Sequence, residues 1–470
     1  MNKVKSLKNV GCVILAAGAG TRMKSELPKV LFDICGKKVI EYVLESVAEI
    51  KEINNIYIVV GYKSGLVENE LKLTKIYNKL KNKITFVKQP QLLGSGDALK
   101  HVKKYITKSV EHLLVLCGDV PLISSKTLKN LLNSHLSNNV DCTVLSVIMD
   151  EPSGYGRIIK DLSKKFVDIV EEVDATESQK AIKEVNSGIY VFRLPQLWTA
   201  LEKIKPDNKK KEYYLTDTVR YLNSKQTFLC KDPKEVQGIN TRKDLMIISE
   251  NVRNRIIDNL VLNGVTIIMP QTVYIDWDSK IEPDTTIFQG CVITKSHIEK
   301  NCMIGPYSVI NSSYIKSNTS VIFSHIECST IGNNCSIGPF SRIRASTTIK
   351  KNVTIGNFVE IKNSKIDDGV KIKHLAFIGD ATLKESVNIG AGTITCNYDG
   401  IKKNKTFIGK KAFVGSNVSI VAPIKIGDNV VIGAGSTVTK DVPSNTLVIA
   451  RSQEIHKKNH KIIKRIFGDH

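Results

Sequence analysis

No stretch of the chain approaches the ~20 consecutive apolar residues of a membrane-spanning helix, and its ten cysteines include no Cys-x-x-Cys pair. The first absence argues against membrane insertion, and the second against a zinc site. Several cysteines lie inside apolar runs, as reduced, mostly buried thiols of a cytoplasmic protein would. Acidic residues are few beside basic ones, 46 against 68, which leaves a formal net charge of +22. No basic arm gathers that charge. It reads as compositional bias and a taste for anionic small substrates, with no nucleic-acid partner. Basic residues ahead of a short apolar run at the start of the chain imitate a signal peptide. That run is too short and passes directly into a glycine-rich turn, so it reads as a first strand.

The glycine-rich turn carries the most information. Val13 to Ala17 is apolar on both faces, as a central parallel strand must be, and Gly18 and Gly20 free the backbone behind it to aim N–H groups at an anion. Arg22 and Lys29 add mobile positive charge. No Gly-Lys-Ser/Thr follows, which excludes a P-loop, and no third glycine completes a dinucleotide fingerprint. The segment reads as a phosphate cradle.

At 470 residues, 42% hydrophobic and 24% charged, the chain has room for two or three soluble domains. Strand-like and helix-like runs alternate up to about Asn240, which predicts an open, doubly wound α/β sheet with ligands at the carboxyl ends of its strands. Leu245, Ile248, Val252 and Ile256 recur at near-helical spacing and predict a connecting helix over 241–262. From 263 to 470 the pattern becomes hexapeptide. Aliphatic residues fall on every sixth position from Ile331 to Ile361 and again from Ile408 to Val438, with a weaker series from Ile275 to Ile310. That is the signature of a left-handed parallel β-helix, ~18 residues per coil. Between Ile389 and Ile408 the phase slips by one residue, marking an inserted loop with Cys396, Asn397 and Tyr398. The repeat is expected to stop after Val442, leaving a basic tail from His456 to Ile466.

The string Gly-x-Gly-Thr-Arg-Met-x4-Pro-Lys resembles the signature of sugar-phosphate nucleotidyltransferases. Further segments, among them Leu93-Gly94-Ser95-Gly96, Gly118-Asp119-Val120-Pro121-Leu122, Gly154-Tyr155-Gly156-Arg157 and Gly238-Ile239-Asn240, extend the resemblance to the bacterial N-acetylglucosamine-1-phosphate uridyltransferase domain. The resemblance implies that Asp119 and Asn240 hold Mg²⁺ and that Arg22 and Lys29 handle phosphate. Leu15, Ala16, Ala17, Gly18, Cys117 and Gly118 would line the UTP site, with Gln89, Gly94 and Ser95 facing the uracil. Gly156, Glu171 and Asn186 would bind the amino sugar. Leu92 stands where this family commonly has a polar residue, and Cys117 where it has tyrosine. Both departures touch selectivity more than phosphate or metal chemistry.

The segment from His374 to Ala381, followed by Asn388 to Gly400, resembles the glucosamine-1-phosphate acetyltransferase domain. A neutral imidazole can accept the proton that an amine loses when it attacks a thioester, and the resemblance gives that role to His374. It further implies that Arg344 and Lys362 grip the sugar phosphate, with Phe377 beside them. Asn388, Asn397 and Tyr398 would contact the sugar. Ala391, Ser416, Ala434 and Arg451, joined by Asn397 and Tyr398, would line the acetyl-coenzyme A groove. Phe377 replaces the usual tyrosine, a lost hydrogen bond worth ~1.5–3 kcal/mol if its partner is charged. Ala345-Ser346 replaces a common Pro-Gly.

The combined expectation is a bifunctional enzyme that acetylates glucosamine-1-phosphate and then uridylylates the product to UDP-N-acetylglucosamine, assembled as a homotrimer. Three rivals stay open. A sugar nucleotidyltransferase with a regulatory or oligomerising β-helix leaves His374 without purpose, a non-enzymatic scaffold leaves Asp119 and Asn240 unexplained, and a nucleic-acid binder explains only the charge.

Overall fold

The computed structural model describes residues 9–458 and 460–468; the basic start of the chain, residues 1–8, lies outside the described residues. Two compact units divide the chain, Met1–Val252 and Arg253–His470.

In the first unit, strand Val10–Ala16 is apolar throughout because it has parallel neighbours on both sides, Asn55–Val60 and His112–Cys117. Its side chains alternate between two cores. Val10, Cys12, Ile14 and Ala16 pack with the buried faces of helices Val39–Ala48 and Ser125–Asn138. Val13 and Ala17 pack with Ala98 and Leu99 of helix Ser95–Lys100 and with Leu197 and Leu201 of helix Leu194–Lys203. Helices therefore cover both faces of the sheet.

The strand order is Lys225–Leu229, Cys142–Ile148, Glu184–Arg193, His112–Cys117, Val10–Ala16, Asn55–Val60, Ile84–Lys88. Within this order of seven, one strand departs from the parallel course. Glu184–Arg193 runs antiparallel to both of its neighbours, because the ribbon Arg157–Lys160 with Phe166–Val170 carries the chain to the carboxyl edge before it re-enters. The carboxyl ends of the parallel strands deliver Gly18, Gln89 and Asp119 to one edge.

Helix Arg242–Leu262 spans the division between the units and buries Ile248, Val252, Ile256 and Leu260. Beyond it the chain winds a three-faced prism of parallel sheets with 11, 10 and 9 strands, a left-handed parallel β-helix. Successive sixth-position aliphatics enter successive faces: Ile337, Ile355 and Ile372 stack on one, Ile343, Ile361 and Ile378 on the next, Ile349 and Ile366 on the third. All are buried. Several corners between faces require left-handed backbone, filled by asparagines such as Asn318, Asn334, Asn352 and Asn429 with φ between 55° and 60°. Asparagine tolerates that region better than most side chains, which gives part of the asparagine content a structural purpose. In the coil with the inserted loop, Thr395 takes the inward place of an aliphatic residue.

The solenoid extends one strand beyond Val442, since Leu447–Val448 pairs in parallel with Val431–Ile432. Val448 takes the inward place in register with Ile432 but falls ten residues after Val438 (438 to 448), out of the six-residue phase by which the repeat is read. The tail forms a short exposed helix, Lys461–Phe467. All ten cysteines are free, and no helix among the described residues is long and apolar enough to cross a membrane.

Candidate functional sites

The loop after Val10–Ala16 opens a cleft of about 410 Å³. Leu15, Ala16, Ala17, Gly18, Lys29, Gln89, Gly94, Ser95, Cys117 and Asp119 line it together with Leu92. The two glycines of the turn act differently. Gly20 adopts φ 63°, where a side chain would be strained, whereas Gly18 keeps an ordinary φ and leaves open space in the cleft. Its contribution is room for a ligand. Gly118 donates its N–H to the Leu15 carbonyl at 2.9 Å, holding the start of the Asp119 loop against the first strand.

Asp119 and Asn240 meet at the ammonium of Lys29, which donates to Asp119 Oδ2 and, at 3.5 Å, to Asn240 Oδ1. Arg22 Nη2 also donates to Asn240 Oδ1, at 2.8 Å. Two hard oxygen donors thus converge on one cationic position, the donor chemistry Mg²⁺ selects. Asn240 is held by the first turn of the following helix. Asp244 Oδ2 accepts from the backbone N–H groups of Asn240 and Thr241 while Thr241 Oγ1 accepts from Asp244 N–H, a reciprocal cap.

Gln89 is buried, and its Nε2 donates to the Gly94 carbonyl at 3.1 Å and to Asp97 Oδ2 at 2.8 Å. Gly94 has φ 112°, and a Cβ there would lie 2.6 Å from the Tyr213 carbonyl. Ser95 Oγ accepts from Leu215 N–H, which ties the loop to the neighbouring segment. Glu171 lines a separate pocket of about 300 Å³. Its carboxylate accepts from Thr216 Oγ1 at 3.0 Å, and burial pushes its pKa up. Gly156 approaches that carboxylate closely, and its carbonyl accepts from Asn186 N–H. The Asn186 side chain is buried and donates to Tyr190 Oη. Cys117 stands between the two groups, donating to the Gly188 carbonyl. Burial, with the charge of Asp119, pushes its thiol up to about 12, so it is no nucleophile at neutral pH.

In the solenoid, His374 ends strand Lys371–His374 and is exposed. Its Nδ1 lies 2.8 Å from Oδ1 of Asn357, the residue in register one coil earlier. An amide oxygen can only accept, so in the neutral ring this contact places the proton on Nδ1 and leaves the Nε2 lone pair open. The next face presents Glu360, Lys362, Phe377 and Gly379 outward, with Ile361 and Ile378 inward. The Phe377 ring crosses Gly379, where an added Cβ would lie 2.8 Å from it. At the far side Arg344 pairs with Glu360 at 2.8 Å, and Lys362 has its pKa lowered, first by Lys403 of the inserted loop and then by Arg344. Like charges crowded this way would be relieved by an anion.

Asn397 is buried and donates to Asp380 Oδ2 at 2.5 Å. Tyr398 is exposed and donates within its own loop to the Gly400 carbonyl. Asn388 is half-buried on the coil after His374, in register with Lys371. Ala391, Ser416, Ala434 and Arg451 form a file from coil to coil. Asn417 N–H donates to the Ala391 carbonyl, Gly435 N–H to Ser416, and Arg451 Nη1 to Ala434. Ser346, in place of glycine, takes φ 62°, so the substituted corner keeps the left-handed backbone at a cost of about 1 kcal/mol. Among the described residues no hydrogen bond or ion pair joins His374 to Arg344, Lys362 or Lys403.

Sequence reasoning missed Asp97, Asp244, Asn357 and Lys403. Asp244 was within reach, because Thr241 and Asp244 have capping-box spacing. Asn357 is one coil away from His374 and needed the register.

The model described as Nucleotidyl transferase matches residues 11–236, and that described as Bacterial transferase hexapeptide (six repeats) matches 328–363 and 405–440. The Bifunctional protein GlmU of Caldanaerobacter subterraneus subsp. tengcongensis is 44% identical over 450 residues, 95% of this chain and 96% of the relative. That of Thermosipho africanus is 44% identical over 454 residues, 96% and 97% of the two chains. A crystal structure of UDP-glucose pyrophosphorylase complexed with UDP-glucose is similar at 22% identity and a TM-score of 0.44, covering 52% of this chain and 98% of that one. With two sites on two folds and this identity along nearly the whole of both chains, the protein belongs to the bifunctional GlmU family.

Proposed function

We propose that the solenoid acetylates glucosamine-1-phosphate from acetyl-coenzyme A, and that the α/β unit then transfers uridylyl from UTP to the N-acetylglucosamine-1-phosphate formed, releasing pyrophosphate. The observation that carries this reading is that one chain holds both an oxygen-donor site at a glycine turn and, on its solenoid, an exposed His374 tied through Nδ1 to Asn357 together with the cationic residues Arg344, Lys362 and Lys403.

In uridylyl transfer, a phosphate oxygen of the sugar phosphate attacks the α-phosphorus of UTP and the bond to pyrophosphate breaks. Mg²⁺, held by Asp119 and Asn240, would supply charge neutralisation at the phosphates. The glycine loop gives room and N–H groups to the triphosphate, and Arg22 and Lys29 leave Asn240 and Asp119 to meet its negative oxygens. Gln89 and the Gly94 backbone read the base. Glu171, Asn186 and Gly156 hold the amino sugar.

In acetyl transfer, the amine of glucosamine-1-phosphate forms a bond to the thioester carbonyl carbon and the carbon–sulfur bond breaks. His374 Nε2 takes the amine proton and returns it to the leaving thiolate. Arg344, Lys362 and Lys403 hold the phosphate at one side of the Phe377 face. The file from Ala391 to Arg451 receives the coenzyme. In line with the hexapeptide solenoids this domain resembles, which assemble as trimers with acyl sites between neighbouring subunits, we take the working form to be a homotrimer in which neighbours complete each acetyl site. A cytoplasmic location fits the ten free thiols.

The test supplies glucosamine-1-phosphate, acetyl-coenzyme A, UTP and Mg²⁺ together and identifies the products by mass. UDP-N-acetylglucosamine, free coenzyme A and pyrophosphate are expected. UDP-glucosamine alone would reject the acetyl half of the reading and restore a nucleotidyltransferase with an inert β-helix.

A further inference from the structure

We propose that Asp97 is a specificity-determining positioning residue: it locks the side-chain amide of Gln89 with its oxygen toward the base, and so selects uracil over cytosine. The inference rests on the reading that Gln89 faces the nucleobase.

A glutamine amide offers two donors at one end and an acceptor at the other, and the two ends have nearly the same shape. Its orientation is set by its partners. Gln89 lines the nucleotide cleft yet is only 4% exposed. Behind it stand the Gly94 carbonyl oxygen at 3.1 Å and Asp97 Oδ2 at 2.8 Å. A carbonyl and a carboxylate only accept, so the end that meets them is nitrogen, and both of its hydrogens are used. Oε1 is left for the cleft. Uracil presents a donor at N3 and cytosine an acceptor, so an oxygen held at this place bonds one base and repels the other. A freely turning amide would satisfy both.

Asp97 itself does not line the cleft. It sits on helix Ser95–Lys100, with His101 Nε2 one turn further on at 3.5 Å from the same carboxylate oxygen. The Gly94 carbonyl holds one amide hydrogen in any case. The Asp97 carboxylate makes the second, charge-assisted bond, and burial makes the loss of that partner costly. A site built around a fixed hydrogen bond discriminates far better than one built on shape alone.

The experiment measures kcat/KM for UTP and for CTP on the same preparation of full-length protein, so that the ratio does not depend on the fraction folded. Asp97→Ala is expected to lower the UTP-to-CTP ratio at least tenfold. Asp97→Asn, whose Oδ1 still accepts from Gln89, is expected to keep the ratio within about threefold of the parent. A parental ratio in Asp97→Ala, or an equal collapse in Asp97→Asn, overturns the proposal. Gln89→Leu separates the two claims. If it leaves the ratio unchanged, the reading that Gln89 faces the base fails; if it collapses the ratio and Asp97→Ala does not, only the role of Asp97 fails.

Discussion

At the scale of single residues, the two proposed chemistries need different things from the side chains that perform them. Nucleotidyl transfer asks for fixed charges, and Asp119, Lys29 and Arg22 already meet around the neutral amide of Asn240. Acetyl transfer asks for a free lone pair, which Asn357 secures by holding the other nitrogen of His374. His374→Ala should abolish acetyl transfer and leave uridylyl transfer at the parental rate, while Asp119→Ala should do the reverse; separate assays of the two half-reactions decide. The Lys362 ammonium gives a pH prediction. Lys403 and Arg344 lower its pKa, so it loses its charge at a lower pH than an ordinary lysine. If it grips the sugar phosphate as proposed, that grip should weaken early as pH rises. Lys403→Met removes the chief cause and should move the alkaline rise in KM for glucosamine-1-phosphate to higher pH, although KM at neutral pH increases because one cation is gone. An alkaline limb that does not move would contradict the cluster.

At the scale of elements, the sites depend on where strands end and helices begin. Asn240 precedes the helix Arg242–Leu262, and the Thr241–Asp244 cap fixes its backbone. Asp244→Ala should cost about 1 kcal/mol of stability through the lost cap and raise several-fold the Mg²⁺ concentration that half-saturates uridylyl transfer. Thermal melting and a metal titration measure the two effects, and an unchanged metal requirement would mean that Asn240 is placed by something else. In the solenoid the corresponding device is register. Each coil repeats the one before, so a residue such as Asn357 acts on His374 across one strand spacing. Gly379 leaves the space in which the Phe377 ring lies.

At the scale of the whole molecule, the chain joins two folds with different logics, an α/β sheet whose strand ends converge on one edge and a prism whose sites lie on its outside. An outward-facing site has no walls of its own. If neighbouring copies supply them, dilution below the assembly concentration should depress acetyl transfer while uridylyl transfer per chain holds steady. Sedimentation at the same concentrations should show the loss of a trimer, and acetyl activity that persists in a monomer would place the complete site within one chain.

The fold class was legible in the amino acids because both architectures write their periods into the chain. Alternating strand and helix patterns give the α/β unit, and a buried aliphatic at every sixth residue gives the prism. The glycine turn after the first apolar strand was legible too, and the structure sets it in one cleft with Lys29 and Asp119. What no local pattern encodes is pairing across long separations. The antiparallel course of Glu184–Arg193, the last strand at Leu447–Val448 and the contacts of Asp97, Asn357 and Lys403 arise from residues brought together by the sheet edge, the coil register or the inserted loop. Sequence by itself determined which side chains were available for chemistry. Only the tertiary structure decided which of their atoms face a ligand, because a hydrogen bond to one end of an amide or an imidazole fixes what the other end can do.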